Sequence, residues 1–115
     1  AAVSAFHQDL TAYGMADRVL IATWSEFGRR PVENASGGTD HGTAAPVFLI
    51  GDPVKGGLYG QGPNLAKLDP SQNVSFDVDF RSVYQEILSG HLGLDGQDVL
   101  GASFDTIPFM HAVGS

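Results

Sequence analysis

The chain has 115 residues, a formal net charge of −7 and no cysteine. Its length suits one ordinary domain, which we place at residues 1–115. Without cysteine, neither a disulfide framework nor a thiolate zinc site is available. The six basic residues are scattered, which argues against nucleic-acid binding. No apolar run approaches the ~18 residues that would predict a membrane span.

The first segment has the spacing of an amphipathic helix. Its apolar residues recur three or four positions apart, which predicts a helix over residues 2–14 that stops at Gly14. These apolar residues are Val3, Phe6, Leu10 and Tyr13. One face of this helix is therefore expected to be apolar.

Two continuous apolar runs follow, RVLIATW at 18–24 and PVFLIG at 46–51. Their lengths and β-branched residues predict two buried strands. The segment between them, residues 25–45, has almost no periodicity, so we expect a long loop there. Loops of about twenty residues are uncommon in compact domains and are usually functional or disordered. The loop at 25–45 is therefore the predicted functional segment.

The second half of the chain starts with turn signals and continues into a strand and a helix. Glycine and proline at 52–63 predict turns, with a short hairpin around Gly56 and Gly57. Alternating apolar and polar residues at 73–80 predict a half-buried strand, and the apolar spacing over 80–93 predicts a helix. The pattern weakens after Asp95, where an irregular segment or a short helix would fit.

This order of elements predicts an α/β fold, in which a small partial sheet of buried strands is flanked by helices. Ligands of α/β sheets bind where loops leave the carboxyl ends of strands. The loop at 25–45 begins at such an end. Functional chemistry is therefore expected among its polar residues.

The loop contains the sequence SGGTDHGT, in which Asp40 and His41 lie between glycines. Carboxylate and imidazole groups are ligands of divalent metal ions. Adjacent residues in extended backbone point in different directions, so one of the pair could bind an ion while the other supports it. The alternative is a solvated loop of turn-forming residues.

Arg29 follows Gly28 near the end of the first predicted strand. Guanidinium groups suit phosphate, sulfate and carboxylate. The alternative is a solvent-facing arginine, or one in an ion pair with Glu26 or Glu33. Arg29 is the candidate for gripping an anion.

Motifs in this order resemble the DUF1501 family, a bacterial branch of the alkaline phosphatase and sulfatase-like superfamily. They are S-E-F-G-R-R-P at 25–31, G-G-T-D-H-G at 37–42, V-K-G-G at 54–57 and D-F-R-S-V-Y-Q-E-I-L at 79–88. The resemblance spans about residues 6–101 and is specific as a combined pattern. It implies the C-terminal part of an alkaline phosphatase-like domain.

The resemblance also implies a ligand set for a divalent metal ion: zinc, manganese, calcium or magnesium. Many superfamily members carry T-A-D-H-G after a strand, and by strand order Glu26 is similar to the Asp of that motif. Phe27 stands at the position of its histidine, so an intact two-metal site does not carry over. His41 resembles a later metal-binding histidine. In a competing alignment, residues 39–42 match T-A-D-H-G directly.

The function that this resemblance implies is metal-assisted hydrolysis of a small phosphate or sulfate ester. Glu26, Asp40 and His41 would hold or orient the metal, and Arg29 would grip the anion. Superfamily enzymes carry their nucleophile in an N-terminal half that has no counterpart here, so the chain resembles a C-terminal portion. The resemblance further implies a periplasmic or secreted location.

Two other functions stay open at this point. The chain could be a non-catalytic metal- or anion-binding fragment that folds by oligomerisation, or a hydrolase for another substrate class such as glycosides. Buried strands need cover on both faces and at their edges, and so short a chain offers few helices for this. We therefore expect a homo-oligomer.

Overall fold

The computed structural model describes residues 1–112 and shows a mixed α/β fold, which confirms the predicted fold class. None of the helices in that range has the length and hydropathy needed to cross a bilayer. The helices are α1 (Ala2–Ala12), a 3-10 helix (Ala16–Arg18), α2 (Phe80–Gly90) and α3 (Gly96–Leu100). The strands are β1 (Ile21–Ala22), β2 (Gly28–Glu33), β3 (Thr39–Gly42) and β4 (Leu49–Ile50).

The chain divides into two compact units. The helical unit comprises Ala1–Ala22, Phe48–Tyr59 and residues 80–112, with the helices and the strands β1 and β4. The hairpin unit comprises Thr23–Val47 and Gly60–Asp79, with β2 and β3. That residues 1–115 act as one domain stays a prediction.

The sheet of the helical unit is an antiparallel pair of β1 and β4, in which Ile21 pairs with Ile50 and Ala22 with Leu49. Both strands are shorter and more exposed than the apolar runs predict. Gly51 ends β4 with a φ of +144°, and a Cβ atom there would lie 2.6 Å from the carbonyl oxygen of Val19. Close backbone approach of the two strands therefore requires glycine at this position.

The core of the helical unit is centred on the C-terminal segment. Phe109 and Met110 are buried, with 1% and 6% of their surface exposed. This segment is held by backbone pairing, because the Lys55 N–H donates to the Phe109 carbonyl (2.7 Å) and the His111 N–H donates to the Pro53 carbonyl (2.9 Å). Val54 thus forms a bridge to Met110. The prediction of a hairpin around Gly56 and Gly57 was therefore wrong.

Helix α2 confirms the spacing-based prediction and anchors the chain that follows it. The Gln85 side chain donates to the Phe104 carbonyl (2.6 Å) and accepts from the Phe104 N–H (2.7 Å). The Gln85 side chain thus bonds both backbone groups of Phe104, as a neighbouring strand would do. The Arg81 guanidinium also lies 4.5 Å from the centre of the Phe104 ring.

The strand predicted at 73–80 does not form, and that prediction was wrong. Val74 makes only an isolated bridge to Leu68 within the hairpin unit. The preceding turn places Gln72 in the left-handed region at φ +66°, and the Asp69 carboxylate accepts from the N–H groups of Ser71 and Asn73. Because the turn holds this backbone and offers no second strand, the alternating residues have no ladder to join.

Replacing Gln85 with alanine is expected to destabilise the helical unit by about 1–3 kcal/mol. The change removes two part-buried hydrogen bonds and leaves both backbone groups of Phe104 without that partner. Gln8→Ala, on the exposed surface of α1, is the matched control and should cost little. Urea unfolding of both variants measures this, and equal midpoints would contradict the anchoring role of Gln85.

Candidate functional site

The segment at 25–45 forms a β-hairpin where the sequence predicts a loop. Strands β2 and β3 pair antiparallel, with Gly28 opposite Gly42, Arg29 opposite His41 and Glu33 opposite Thr39. The two motifs at 25–31 and 37–42 therefore supply the two strands of one hairpin. Whether the segment is functional stays a prediction at this point.

The turn of the hairpin is organised by Asn34. The side-chain oxygen of Asn34 accepts from the backbone N–H groups of Ser36 and Gly38, both at 3.0 Å. The backbone N–H of Asn34 donates to the Gly38 carbonyl (2.8 Å). Gly37 takes a φ of +73°, which favours glycine. Asn34 thus replaces strand pairing with local hydrogen bonds at the tip.

Glycines at the open end let the hairpin close. A Cβ atom on Gly28 would overlap the backbone carbonyl of Ala44, and one on Gly42 would lie 2.8 Å from the backbone of Arg29. These two glycines are themselves paired across the hairpin. Close backbone packing therefore explains why glycine occupies these positions of the F-G-R and D-H-G motifs, whether or not a ligand binds there.

Strand β2 contains a bulge between Arg29 and Glu33. Four steps along β2 correspond to two steps along β3, so β2 carries two additional residues around Pro31. Proline has no N–H to donate and is tolerated at bulges. Because the surplus is an even number, Glu33 and Thr39 return to the face that carries Arg29 and His41.

Three side chains of this hairpin form a compact cluster, which we call the ring–arginine cluster: Phe27, Arg29 and His41. The rings of Phe27 and His41 are stacked, with centroids 3.5 Å apart and planes 14° from parallel. The Arg29 guanidinium lies 5.3 Å from the Phe27 ring centre and donates to the Thr39 carbonyl (2.8 Å). Arg29 and His41 are both exposed, so the cluster presents cationic and imidazole groups to solvent.

Asp40 is held apart from its neighbour His41. Successive residues of a strand project to opposite faces of the sheet, which places Asp40 on the other face of β3. There the Asn34 side-chain amide donates to the Asp40 carboxylate at 3.0 Å. The structure thus brings Arg29 and His41 together and joins Asp40 to the turn.

Glu26 lies on an exposed bend before β2. Across residues 1–112, no group of three or more His, Cys, Asp or Glu side chains is placed to hold a metal ion. The structure therefore does not bring Glu26, Asp40 and His41 together as one group of donors, and their role as metal ligands stays a prediction.

The stacking of Phe27 on His41 was not predicted from the sequence, where Phe27 stands at the position of a metal-binding histidine. Phe27 precedes Gly28 and His41 precedes Gly42, so a ring–glycine pair occurs once in each strand. This repeat was a readable signal, because two small residues in register allow the preceding rings to approach each other.

The hairpin unit also contains a carboxylate with a shifted pKa, Asp69, at the turn at 69–73. Hydrogen bonds from Asn73 are the main cause that lowers the pKa of Asp69 below its ordinary value, and the nearby positive charge of Arg30 adds to this. The Nε atom of Arg30 is buried and has no hydrogen-bond partner among the described residues. Arg30 is thus partly buried, whereas its neighbour Arg29 is exposed to solvent.

This architecture defines a mixed α/β protein whose two glycine-rich motifs build one hairpin with an exposed ring–arginine cluster. A family model described as a protein of unknown function (DUF1501) matches residues 1–105. The chain therefore belongs to the DUF1501 family, as the sequence resemblance predicts. Neither the curated proteins nor the solved structures compared with the chain gave a match.

Gly28→Ala is expected to disrupt the hairpin at a cost of about 3 kcal/mol or more. The added methyl group meets the backbone of Ala44, which cannot rotate away as a side chain could. Gly62→Ala is the matched control in the same unit, because a Cβ atom there meets nothing within 4 Å. NMR signals of the hairpin amides during urea unfolding report the difference. An undisturbed hairpin in Gly28→Ala would contradict the close packing described above.

The turn of Asp69 is expected to make the hairpin unit sensitive to acid. Because the folded state lowers the pKa of Asp69, its contribution is fully present above about pH 4 and is lost as the pH falls through the folded-state value. Asp69→Asn should show a smaller loss of stability on acidification than the unchanged chain. Asp105→Asn, which removes a carboxylate from the helical unit, is the control. Hairpin amide signals followed from neutral to acidic pH test this, and identical acid profiles for Asp69→Asn and the unchanged chain would overturn it.

Proposed function

We propose that the hairpin unit is the anion-binding element of a hydrolase-like domain acting on phosphate or sulfate esters. The observation that carries this is the pairing of Arg29 with His41 directly across β2 and β3, with both side chains exposed on one face. Family membership supports it only through the resemblance to alkaline phosphatases and sulfatases. The chain would form the C-terminal portion of such a domain.

Arg29 is suited to bind the non-bridging oxygens of an ester anion. Its Nη1 atom is fixed on the Thr39 carbonyl and its guanidinium lies against Phe27, so the planar group is oriented before any ligand arrives. A preoriented guanidinium loses less side-chain entropy on binding, and it can offer two parallel N–H groups to phosphate or sulfate. Arg29 therefore supplies charge and geometry together.

His41 is suited to hold or move a proton at the ester oxygen. Stacking on Phe27 fixes the plane of the imidazole ring, and His41 pairs with Arg29 across the strands, so the ring would lie beside an anion bound by Arg29. Imidazole is the side chain whose ordinary protonation range lies nearest neutrality, which suits general acid–base work. Asp40, held by Asn34, maintains the turn that sets β3 in place.

A divalent metal ion, which the resemblance implies, would need ligands beyond Glu26, Asp40 and His41. When bound, such an ion would polarise an ester oxygen. The proposal for Arg29 and His41 does not depend on it, because anion binding by the ring–arginine cluster uses only the residues of the hairpin.

Arg29→Ala is expected to weaken phosphate and sulfate binding by about tenfold to a hundredfold. The change removes charge-assisted hydrogen bonds, each worth about 1.5–3 kcal/mol. Arg18→Ala removes the same charge from an exposed position in the helical unit and should leave binding unchanged. Titration of both variants with inorganic phosphate and sulfate, followed by NMR of the hairpin amides, measures the difference.

The controls of this experiment separate specific binding from bulk charge. Arg29→Lys keeps the charge but loses the planar fork, so an intermediate affinity is expected. Equal losses in Arg29→Ala and Arg18→Ala would reject the hairpin as the binding element. Turnover of aryl phosphates and aryl sulfates by the unchanged chain would favour catalysis, whereas binding without turnover would favour the non-catalytic alternative.

A further inference from the structure

Glu33 is an exposed carboxylate on the face of the hairpin that carries Arg29 and His41. It lies opposite Thr39 across the two strands, and Thr39 is two residues from His41 along β3. Because side chains alternate along a strand, Glu33 therefore shares a face with Arg29 and His41. This face combines a guanidinium, an imidazole and a carboxylate, of which the proposed function uses only the first two.

The carboxylate of Glu33 and the guanidinium of Arg29 are held apart at the tip end of this face. Oε1 of Glu33 lies 3.8 Å from the place that a Cβ atom on Gly37 would take, whereas Nη1 of Arg29 donates to the Thr39 carbonyl (2.8 Å). Gly37 and Thr39 are two residues apart, which in extended backbone is about 7 Å. Glu33 and Arg29 form no ion pair in the described part of the chain.

The other charged side chains of the two strands, Arg30 and Asp40, do not neutralise this face. Asp40 accepts a hydrogen bond from Asn34 on the opposite face of β3. Arg30 is partly buried, and its charge acts on Asp69 in the turn that follows Leu68. Two charges of opposite sign, Arg29 and Glu33, therefore remain exposed beside each other.

The carboxylate of Glu33 opposes the binding of a ligand that carries only negative charge. At low salt, charges on the order of 7 Å apart at a protein surface change an affinity by about threefold to fiftyfold. Glu33 thus weakens the binding of a plain phosphate or sulfate at Arg29. A ligand that also carries a positive charge turns the same carboxylate into a favourable contact, and specificity commonly combines such a repulsion with an attraction.

We propose that Glu33 is a specificity-determining residue, which makes the hairpin selective for phosphate or sulfate esters of amino alcohols. The inference rests on the proposed function, because Arg29 binds the ester anion while Glu33 binds the ammonium group of the same ligand. A short carbon spacer between these two groups suits the separation of the two side chains. His41 lies at the ester end of such a ligand, because it is paired with Arg29.

Titration with ethyl phosphate and 2-aminoethyl phosphate, at neutral pH and low salt, tests the selectivity through NMR signals of the hairpin amides. The two ligands share the ester group and the chain length, and only the second carries an ammonium group. The unchanged chain is expected to bind 2-aminoethyl phosphate at least about fivefold more tightly than ethyl phosphate.

Variants at position 33 assign this preference to one carboxylate. Glu33→Gln keeps the shape of the side chain without its charge and should bring the two affinities within about twofold of each other. Glu33→Lys should reverse the preference. Asp9→Asn removes an exposed carboxylate from the helical unit and is the matched control, in which the preference should persist.

The outcomes distinguish the role of Glu33 from the proposed function. Equal binding of the two esters to the unchanged chain would leave anion binding intact and overturn the selectivity, and this comparison requires no variant to fold. A preference that survives Glu33→Gln, or that Asp9→Asn reduces equally, would overturn it as well. If neither ester nor inorganic phosphate shifts the hairpin amides, the proposed function is rejected and the selectivity with it.

Discussion

The close approach of Gly28 and Gly42 is the constraint on which the candidate site depends. These glycines allow the two strands to pair at the open end of the hairpin, where a side chain on either would meet backbone atoms. That pairing brings the rings of Phe27 and His41 into contact and sets Arg29 opposite His41. The motif glycines thus position the candidate binding residues Arg29 and His41.

The helical unit is held together differently, by contacts between distant parts of the chain. The segment around Phe109 and Met110 pairs with the backbone at 53–55. The side-chain amide of Gln85 bonds both the N–H and the carbonyl of Phe104. Few apolar side chains in the described residues are fully buried, and many large ones remain exposed. Hydrogen bonds between distant segments therefore stabilise this unit where larger proteins rely on a larger apolar core. For this reason the fold is ordered although many apolar side chains remain exposed.

The sequence predicted the helices well because their apolar spacing is a local property. Helices α1 and α2 begin and end close to the predicted positions, with Gly14 following α1 at a φ of +65°. The hairpin was not predicted, because its strands are polar and rely on glycine contacts and on Asn34 rather than on a buried face. Conversely, the alternation at 73–80 predicted a strand that has no partner. For the candidate site, the sequence suggested Arg29 and His41 as candidates, but their direct pairing depends on a register that periodicity does not encode.

The even bulge around Pro31 has a consequence for how this hairpin can vary among relatives. Gaining or losing one residue there would move every position between the bulge and the tip to the other face, because side chains alternate along a strand. Gaining or losing two would preserve the sidedness of Glu33 and Thr39. A change of two residues would therefore leave the hairpin tip as it is, whereas a change of one residue would have to be absorbed by a different bulge or by a rebuilt tip.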